Sequence, residues 1–89
     1  MKTQEVEIVN RLGLHARAAA KVVELAGVYA CSIALVKDGR RVDAKSIMSV
    51  MMLAATMGST VEIETDGVDE DEAMKAMVAL VGERFGENE

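Results

Sequence analysis

The only histidine of the chain, His15, lies two positions before Arg17 in the stretch GLHARAAAKVVELA. The apolar residues that follow recur at helical intervals, so this imidazole lies at the N-terminus of a predicted helix. The first backbone N–H groups of a helix lack helical partners and carry a partial positive charge, which favours an anion. Here they belong to Ala16, Arg17 and Ala18, and the Arg17 guanidinium could also hold phosphate oxygens. His15 could therefore carry a phosphoryl group on one ring nitrogen.

Two other interpretations of this histidine use the same residues. It could be a surface or N-cap residue that takes part in no reaction. A metal site is disfavoured, because the chain has one histidine and one cysteine and a structural zinc site needs several such ligands. For phosphoryl transfer the imidazole must attack in its neutral form, in which one ring nitrogen has a lone pair. The residues alone leave the inert and the phosphoryl-carrying interpretations open.

The sequence has no motif for nucleotide chemistry. No glycine run has the G-x-x-x-x-G-K pattern of a phosphate-binding loop, and 89 residues offer little room for a nucleotide pocket. A protein with a phosphoryl-accepting histidine and no nucleotide site would receive the group from one protein and donate it to another. This pattern indicates a carrier without a cofactor, rather than a stand-alone enzyme.

Composition and charge argue against several classes of protein. The net charge is −5 and only Tyr29 and Phe85 are aromatic, which argues against nucleic-acid binding. No apolar stretch is long enough to span a bilayer, and the N-terminal residues lack the apolar core of a signal peptide. The single cysteine, Cys31, excludes an internal disulfide. We expect a monomeric cytoplasmic protein with one domain, residues 1–89.

The first half of the chain predicts a strand, a helix and a hairpin. Alternation predicts a strand over residues 4–9, and helical spacing predicts a helix over 16–26 that ends at a left-handed Gly27. The pair Asp38-Gly39 is a hairpin signal between strands over residues 29–36 and 40–43. The predicted apolar face of the first helix comprises Ala16, Ala19, Ala20, Val23 and Ala26, widened by Val22 and Leu25.

The second half predicts a helix, a strand and a helix. Ser46 is the predicted N-cap of a methionine-rich helix that ends at Gly58, and a strand follows over residues 59–67. Asp69 is the predicted N-cap of the third helix, and the last four residues, GENE, are expected to fray. The predicted apolar face of this helix comprises Ala73, Met77, Leu80, Val81 and Arg84.

The element order β-α-β-β-α-β-α predicts the fold class. Strands with one apolar face and three amphipathic helices suit an α+β fold with two layers, in which an antiparallel sheet carries all helices on one side. The other face of the sheet would be solvated, with outward-facing Glu5, Glu7, Glu62 and Glu64.

The methionine-rich helix has more apolar residues than one buried face can hold. If Val50, Leu53 and Ala54 pack inward, then Ile47, Met48 and Met51 cannot all face the sheet. Flexible thioethers suit a surface that must accept several partners in turn. We therefore expect these last three residues to contact partner proteins.

Two segments of the chain resemble the signatures of one family. GLHARAAAKVVELA resembles the active-site segment of HPr, the histidine-phosphorylatable carrier of the phosphoenolpyruvate-dependent sugar phosphotransferase system, and KSIMSVMMLAATMGSTVEIETDG is similar to the family's second signature. The resemblance implies an open-faced β-sandwich with four antiparallel strands in the order 1-4-2-3. This sequence differs from the usual family pattern at Ala18, where the family commonly has proline.

The resemblance also implies a function and its partners. His15 would accept a phosphoryl group on Nδ1 from enzyme I and pass it to IIA domains, with Arg17 holding the phosphate. Ser46 would be the serine that an HPr kinase/phosphorylase modifies. A phosphate on Ser46 would add about two negative charges beside the docking face and slow association with acidic partners.

An alternative stays open beside the carrier. The chain could be a regulatory phosphoprotein, of the nitrogen-related branch or in carbon catabolite control, in a host without a complete sugar permease. In the strictest version of this alternative, phosphorylation of Ser46 alone regulates the protein and His15 has no role. A module that had lost the relay would be expected to lose the histidine too, whereas both His15 and Arg17 are present.

Overall fold

A computed structural model describes all 89 residues of the chain. The elements follow in the predicted order, and a short 3₁₀ turn, Arg84–Gly86, comes after the last helix. The strands are β1 (Lys2–Glu7), β2 (Ser32–Lys37), β3 (Arg40–Asp43) and β4 (Thr60–Asp66), and the helices are α1 (Ala16–Ala26), α2 (Ile47–Met52) and α3 (Glu70–Gly82).

The four strands form one antiparallel sheet in the order β1-β4-β2-β3. On the central strand β4, the buried side chains of Val61, Ile63 and Thr65 alternate with the half-buried Glu62 and Glu64. Strict alternation places one face of the sheet against the helices and leaves the other toward solvent. This arrangement confirms the predicted open-faced α+β sandwich with the strand order 1-4-2-3.

The hydrophobic core lies between the sheet and the helices. Because the chain has only two aromatic residues, aliphatic side chains fill most of this layer, and Phe85 is the largest fully buried residue. Burial of each such side chain contributes roughly 1.5–3 kcal/mol. The fully buried members, each less than 2% exposed, include Ile8, Val22, Val50, Val61, Ile63, Met77 and Phe85.

The bounds of α1 agree with the prediction, but its buried face is rotated. Ala16 and Ala20 are exposed, and the core side of the helix comprises Ala18, Ala19, Val22 and Ala26. The predicted left-handed Gly27 is also wrong, since its φ is −66°. Its N–H donates to the Val23 carbonyl at 3.0 Å, so the helical turn continues through this position.

The hairpin prediction is confirmed, and the strand bounds shift slightly. Asp38 and Gly39 have φ of 52° and 80°, as a tight turn between β2 and β3 requires. The first strand begins at Lys2, earlier than predicted, and ends at Glu7. Ile8 lies beyond its end but is still buried.

The second helix is shorter than predicted. Ser46 is its N-cap, as expected, and its Oγ accepts a hydrogen bond from the Ser49 N–H at 3.4 Å. The helix ends at Met52 rather than Gly58, because Ala54 adopts a left-handed φ of 54° and turns the chain. Ala54 is therefore exposed instead of packed inward, and Ala55 enters the core in its place.

The residue before α3 does not cap it in the predicted way. The Asp69 carboxylate makes no hydrogen bond to the helix and instead accepts from the backbone N–H groups of Ala30 and Cys31, at 2.8 and 2.9 Å. It thereby fixes the entry to β2. Arg84 lies beyond the helix and is exposed, so it does not share the buried face. That face comprises Ala73, Met74, Met77 and Val81, with Leu80 half-buried.

The contact of Asp69 gives an acid-dependent contribution to stability. The Ala30 N–H is the main reason that the pKa of Asp69 lies below its ordinary value, and the Cys31 groups act in the same direction. A carboxyl with a lowered folded-state pKa stabilises the protein above its unfolded-state pKa and loses this effect as the pH falls through the folded-state pKa. We expect Asp69→Asn to lower Tm at neutral pH, with the difference from wild type vanishing in acid.

Thermal unfolding across pH checks this expectation. Glu72→Gln is the control, since the exposed Glu72 side chain makes no ion pair or hydrogen bond. A Tm difference for Asp69→Asn that persists unchanged into acid would contradict the ionic origin of the contact.

Candidate functional site

A tight loop places His15 at the start of α1. Gly13 has a left-handed φ of 64° and passes so close to the chain after α2 that a Cβ there would lie 2.4 Å from the Ala55 carbonyl oxygen. That oxygen accepts a hydrogen bond from the Leu14 N–H at 2.9 Å. His15 then has an extended backbone and is the N-cap of the helix, and its carbonyl accepts from Ala19. The loop is thus fixed against a second element immediately before the imidazole.

The two ring nitrogens of His15 have different surroundings. Nε2 is hydrogen-bonded to the Glu87 carboxylate, whereas Nδ1 has no hydrogen bond. The side chain is 29% exposed, so the ring is neither buried against the sheet nor free in solvent. One nitrogen is therefore held by the protein, and the other keeps its lone pair or proton available.

The start of α1 offers unpaired donors beside this ring. The backbone N–H groups of Ala16, Arg17 and Ala18 have no hydrogen-bond acceptor, and the His15 side chain does not cap the helix. The Arg17 side chain is exposed and makes no ion pair. Ala18 is fully buried, so the residue at the position where the family commonly has proline packs into the core. These groups together can stabilise an anion next to His15.

An open cleft of about 910 Å³ surrounds the ring. Three cationic side chains and two carboxylates lie along it: Arg11, Arg17, Lys21, Glu87 and Glu89. Arg11 is paired with Glu89, whereas Arg17 and Lys21 make no ion pair and can attract a dianion such as a phosphoryl group. The cleft is wide enough for a group carried by another protein to reach the imidazole.

The C-terminal residues form one wall of this cleft, which corrects the expectation that they fray. Arg84 and Phe85 both have left-handed φ, of 59° and 54°, which costs about 1–2 kcal/mol for each such residue. This turn sends Phe85 into the core, where it is fully buried. The chain then runs back across the cleft, and Glu89 pairs with Arg11 at 3.0 Å.

Asn10 and Glu87 are the site residues that sequence reasoning missed. Asn10 is fully buried, and its Nδ2 donates to Glu87 Oε1 and to the Gly13 carbonyl, both at 2.9 Å. The Asn10 hydrogen bond is the main reason that the pKa of Glu87 is lowered, and the His15 hydrogen bond and the positive charge of Arg17 act in the same direction. Glu87 is therefore a carboxylate at neutral pH. No local pattern could have linked it to a histidine 72 positions away.

The structure places the other predicted residues on a neighbouring surface. Ile47, Met48 and Met51 on α2 are 40%, 66% and 39% exposed, and Ser46 at its N-cap is half-buried. None of them lines the cleft around His15. The helix that carries them packs against α1, and the Leu14 N–H is hydrogen-bonded to Ala55 in the segment after α2.

The described chain has no cluster of three or more histidine, cysteine, aspartate or glutamate side chains that could hold a metal ion. None of its helices is both long and apolar enough to cross a membrane.

Comparisons with known proteins agree with this fold. The family described as "PTS HPr component phosphorylation site" matches residues 2–83. The chain is 57% identical to the phosphocarrier protein HPr of Cupriavidus necator over the full length of both chains. It is 44% identical to an HPr-like protein Crh of Halalkalibacterium halodurans, over 91% of this chain and 96% of that protein.

A solved structure of an HPr protein has the same fold as this chain. The crystal structure of HPr-C-His from Thermoanaerobacter tengcongensis superposes with a TM-score of 0.96 at 44% identity, covering all of both chains. The fold and these similarities define a small phosphocarrier protein. The chain belongs to the HPr family of the phosphotransferase system.

Proposed function

We propose that this protein accepts a phosphoryl group on His15 Nδ1 from phosphorylated enzyme I and passes it to the IIA domains of sugar permeases. The Nδ1 lone pair forms the new N–P bond while the bond from phosphorus to the donor breaks, and the electron pair of that bond stays with the donor. Onward transfer reverses these roles, with the N–P bond breaking and its electron pair returning to Nδ1. The protein is thus a relay in the cytoplasm and does not bind the primary phosphoryl donor.

One observation carries this proposal. Nδ1 of His15 makes no hydrogen bond and lies at the N-terminus of α1, beside the unpaired N–H groups of Ala16, Arg17 and Ala18. A phosphoryl group on Nδ1 would extend into the cleft that Ala16 and Arg17 line, where the free N–H groups of the helix and the Arg17 guanidinium can hold its oxygens. All these groups belong to one chain, so a monomer suffices for the reaction.

Partner docking is proposed for the exposed face of α2. Ile47, Met48 and Met51 are exposed apolar side chains on α2, which packs against the helix that begins after His15. Thioethers adapt to different partner shapes, as a relay that meets enzyme I and several IIA domains requires. A partner seated on this surface would cover the cleft and exclude water from the transfer.

Incubation with enzyme I and labelled phosphoenolpyruvate tests the proposed function. We expect the protein to take up label that is labile in acid and stable in base, as a phosphohistidine is, and to lose it to a IIA domain. Absence of label, or label that is stable in acid, would contradict the relay. Label from ATP and an HPr kinase alone, with none from enzyme I, would favour the purely regulatory phosphoprotein.

We further propose that Ser46 is phosphorylated by an HPr kinase and that this slows the relay. We expect Ser46→Asp to lower the rate of phosphoryl transfer from enzyme I by about tenfold at low salt, since a charge beside the docking face mainly changes the association rate. Stopped-flow or quench-flow transfer assays measure this rate, and the deficit shrinks as salt is added.

Ser46→Ala is the matched control for this prediction. It removes the N-cap hydrogen bond, which contributes about 1 kcal/mol to stability, but adds no charge. The transfer rate of Ser46→Ala is expected to match wild type, and the kinase should label wild type only. Equal rates for Ser46→Asp and Ser46→Ala, or kinase labelling that survives Ser46→Ala, would refute the regulatory role.

A further inference from the structure

We infer that Glu87 is a positioning residue, which holds the His15 proton on Nε2 and thereby keeps Nδ1 as the nucleophilic nitrogen. The inference rests on the proposed function and adds to it a residue from the opposite end of the chain. A neutral imidazole carries its single proton on either nitrogen, and the hydrogen bond at one nitrogen decides which. A carboxylate can only accept, so the ring must present N–H to it.

A second residue, Asn10, also binds the Glu87 carboxylate and fixes its contact with His15. The buried Asn10 donates Nδ2 to Oε1 of Glu87 at 2.9 Å, while the other carboxylate oxygen meets Nε2 of His15. The Glu87 side chain is only 13% exposed. Asn10 is in turn bonded to the Gly13 carbonyl, in the same loop that carries His15. The carboxylate is therefore fixed relative to the ring.

The backbone of the C-terminus is shaped to deliver this carboxylate. Phe85 is fully buried in the core, two residues before Glu87. Arg84, Phe85 and Gly86 all have left-handed φ, so the chain reverses direction within three residues after α3. Left-handed conformations in residues other than glycine persist only when the surrounding structure enforces them. Here burial of Phe85 enforces the reversal that brings Glu87 to the imidazole.

The proton on Nε2 has a role in both transfer steps. When Nδ1 bonds to phosphorus, the ring gains positive charge, and the Nε2–H then faces the Glu87 carboxylate. A ring that keeps this proton is the better leaving group, because the N–P bond can break with its electron pair returning to a neutral imidazole. No proton has to move in either direction, since the same Nε2–H is present before, during and after transfer.

Nitrogen NMR of protein labelled in the imidazole tests the inference without any phosphoryl transfer. At a pH where the ring is neutral, we expect wild type to favour the Nε2–H tautomer by about tenfold. In Glu87→Gln the amide oxygen stays on Asn10, so the NH₂ group meets Nε2 and donates to it. That variant should shift the population toward Nδ1–H, whereas Glu87→Ala should leave a mixture of both tautomers.

Glu89→Gln is the matched control, because Glu89 lies in the same C-terminal segment and pairs with Arg11 but does not touch the ring. Its tautomer ratio should equal that of wild type. Backbone amide spectra of all variants show whether the fold is retained. An unchanged ratio in folded Glu87→Gln and Glu87→Ala would overturn the inference, even if the relay itself is correct.

Transfer kinetics give the second readout. We expect both Glu87 variants to accept the phosphoryl group from enzyme I about tenfold more slowly than wild type, with Glu87→Gln slower than Glu87→Ala. If wild type takes up no label while the tautomer shift is present, the proposed function fails and the positioning of the ring stands. Equal transfer rates in wild type and both variants would show that the proton position does not matter to the reaction.

Discussion

Replacing His15 with alanine is expected to reduce phosphoryl uptake from enzyme I to background. The imidazole is the only nitrogen nucleophile at the N-terminus of α1, and no cysteine lies in the cleft. The nearby cations, Arg11, Arg17 and Lys21, can hold a phosphoryl group but do not replace a neutral imidazole as its acceptor. The measurement is incorporation of label from phosphoenolpyruvate in the presence of enzyme I, with the stability of the label followed in acid and base.

The fold should tolerate this substitution. The ring is partly exposed, and its one hydrogen bond is to Glu87 rather than to the core. The Tm of His15→Ala is therefore expected to lie close to that of wild type, so that loss of label reports chemistry and not unfolding. The variant should still be labelled on Ser46 by an HPr kinase. Label from enzyme I that survives His15→Ala would contradict the assignment of the acceptor.

Gly13→Ala is expected to destabilise the protein by roughly 3 kcal/mol and to impair phosphoryl uptake as well. A left-handed alanine costs about 1–2 kcal/mol, and its Cβ would lie 2.4 Å from the Ala55 oxygen and 2.9 Å from the Thr56 Cα. Both of these are backbone atoms, so no flexible side chain can move aside. The loop must separate from the segment after α2, which breaks the hydrogen bond between Leu14 and Ala55 at a cost of about 1 kcal/mol.

Gly39→Ala separates the steric effect from the conformational one. Gly39 also has a left-handed φ, of 80°, but a Cβ there would meet nothing within 4 Å. Its substitution should cost about 1 kcal/mol in urea unfolding and leave phosphoryl uptake unchanged. If the two alanine variants lose equal stability, the close approach of Gly13 to Ala55 does not determine the position of the His15 loop.

Local signals in the sequence were sufficient for most of the fold. The Asp38-Gly39 pair, the alternation in β4 and the Ser46 cap each depend on residues within a few positions of one another, and the structure confirms all of them. The bounds of α1 follow from the same kind of short-range pattern. Its buried face could not be fixed in this way, because alanines on several sides of a helix fit equally well against a neighbour.

The errors at Asp69 and at the end of α2 share a physical cause, which is that tertiary contacts override the local preference. Asp69 has the right residue type for an N-cap, but the N–H groups of Ala30 and Cys31 take its carboxylate. The second helix stops early because Ala54 turns left-handed to bring Ala55 into the core. Propensity describes only what a segment does alone, and tertiary contacts override it.

The sequence predicted the site residues at the start of α1 but not Glu87 in the C-terminal segment. His15, Arg17 and the free N–H groups of α1 follow from a motif that is continuous in sequence, and the structure has the predicted helix N-terminus there. Glu87 belongs to a charged C-terminal segment that composition alone assigns to solvent. Its place beside the imidazole depends on Asn10 and on the burial of Phe85, and neither is visible as a local pattern.

In the proposed relay, Nδ1 of His15 carries the phosphoryl group and the first N–H groups of α1 surround it. Phosphorus and nitrogen NMR of the enzymatically phosphorylated protein, labelled in the imidazole and backbone nitrogens, measures both directly. We predict coupling of phosphorus to Nδ1 of His15, with large shifts of the Ala16, Arg17 and Ala18 amide signals as they bond to phosphate oxygens. Phosphorus coupled to Nε2, or those three amide signals unmoved, would contradict the account.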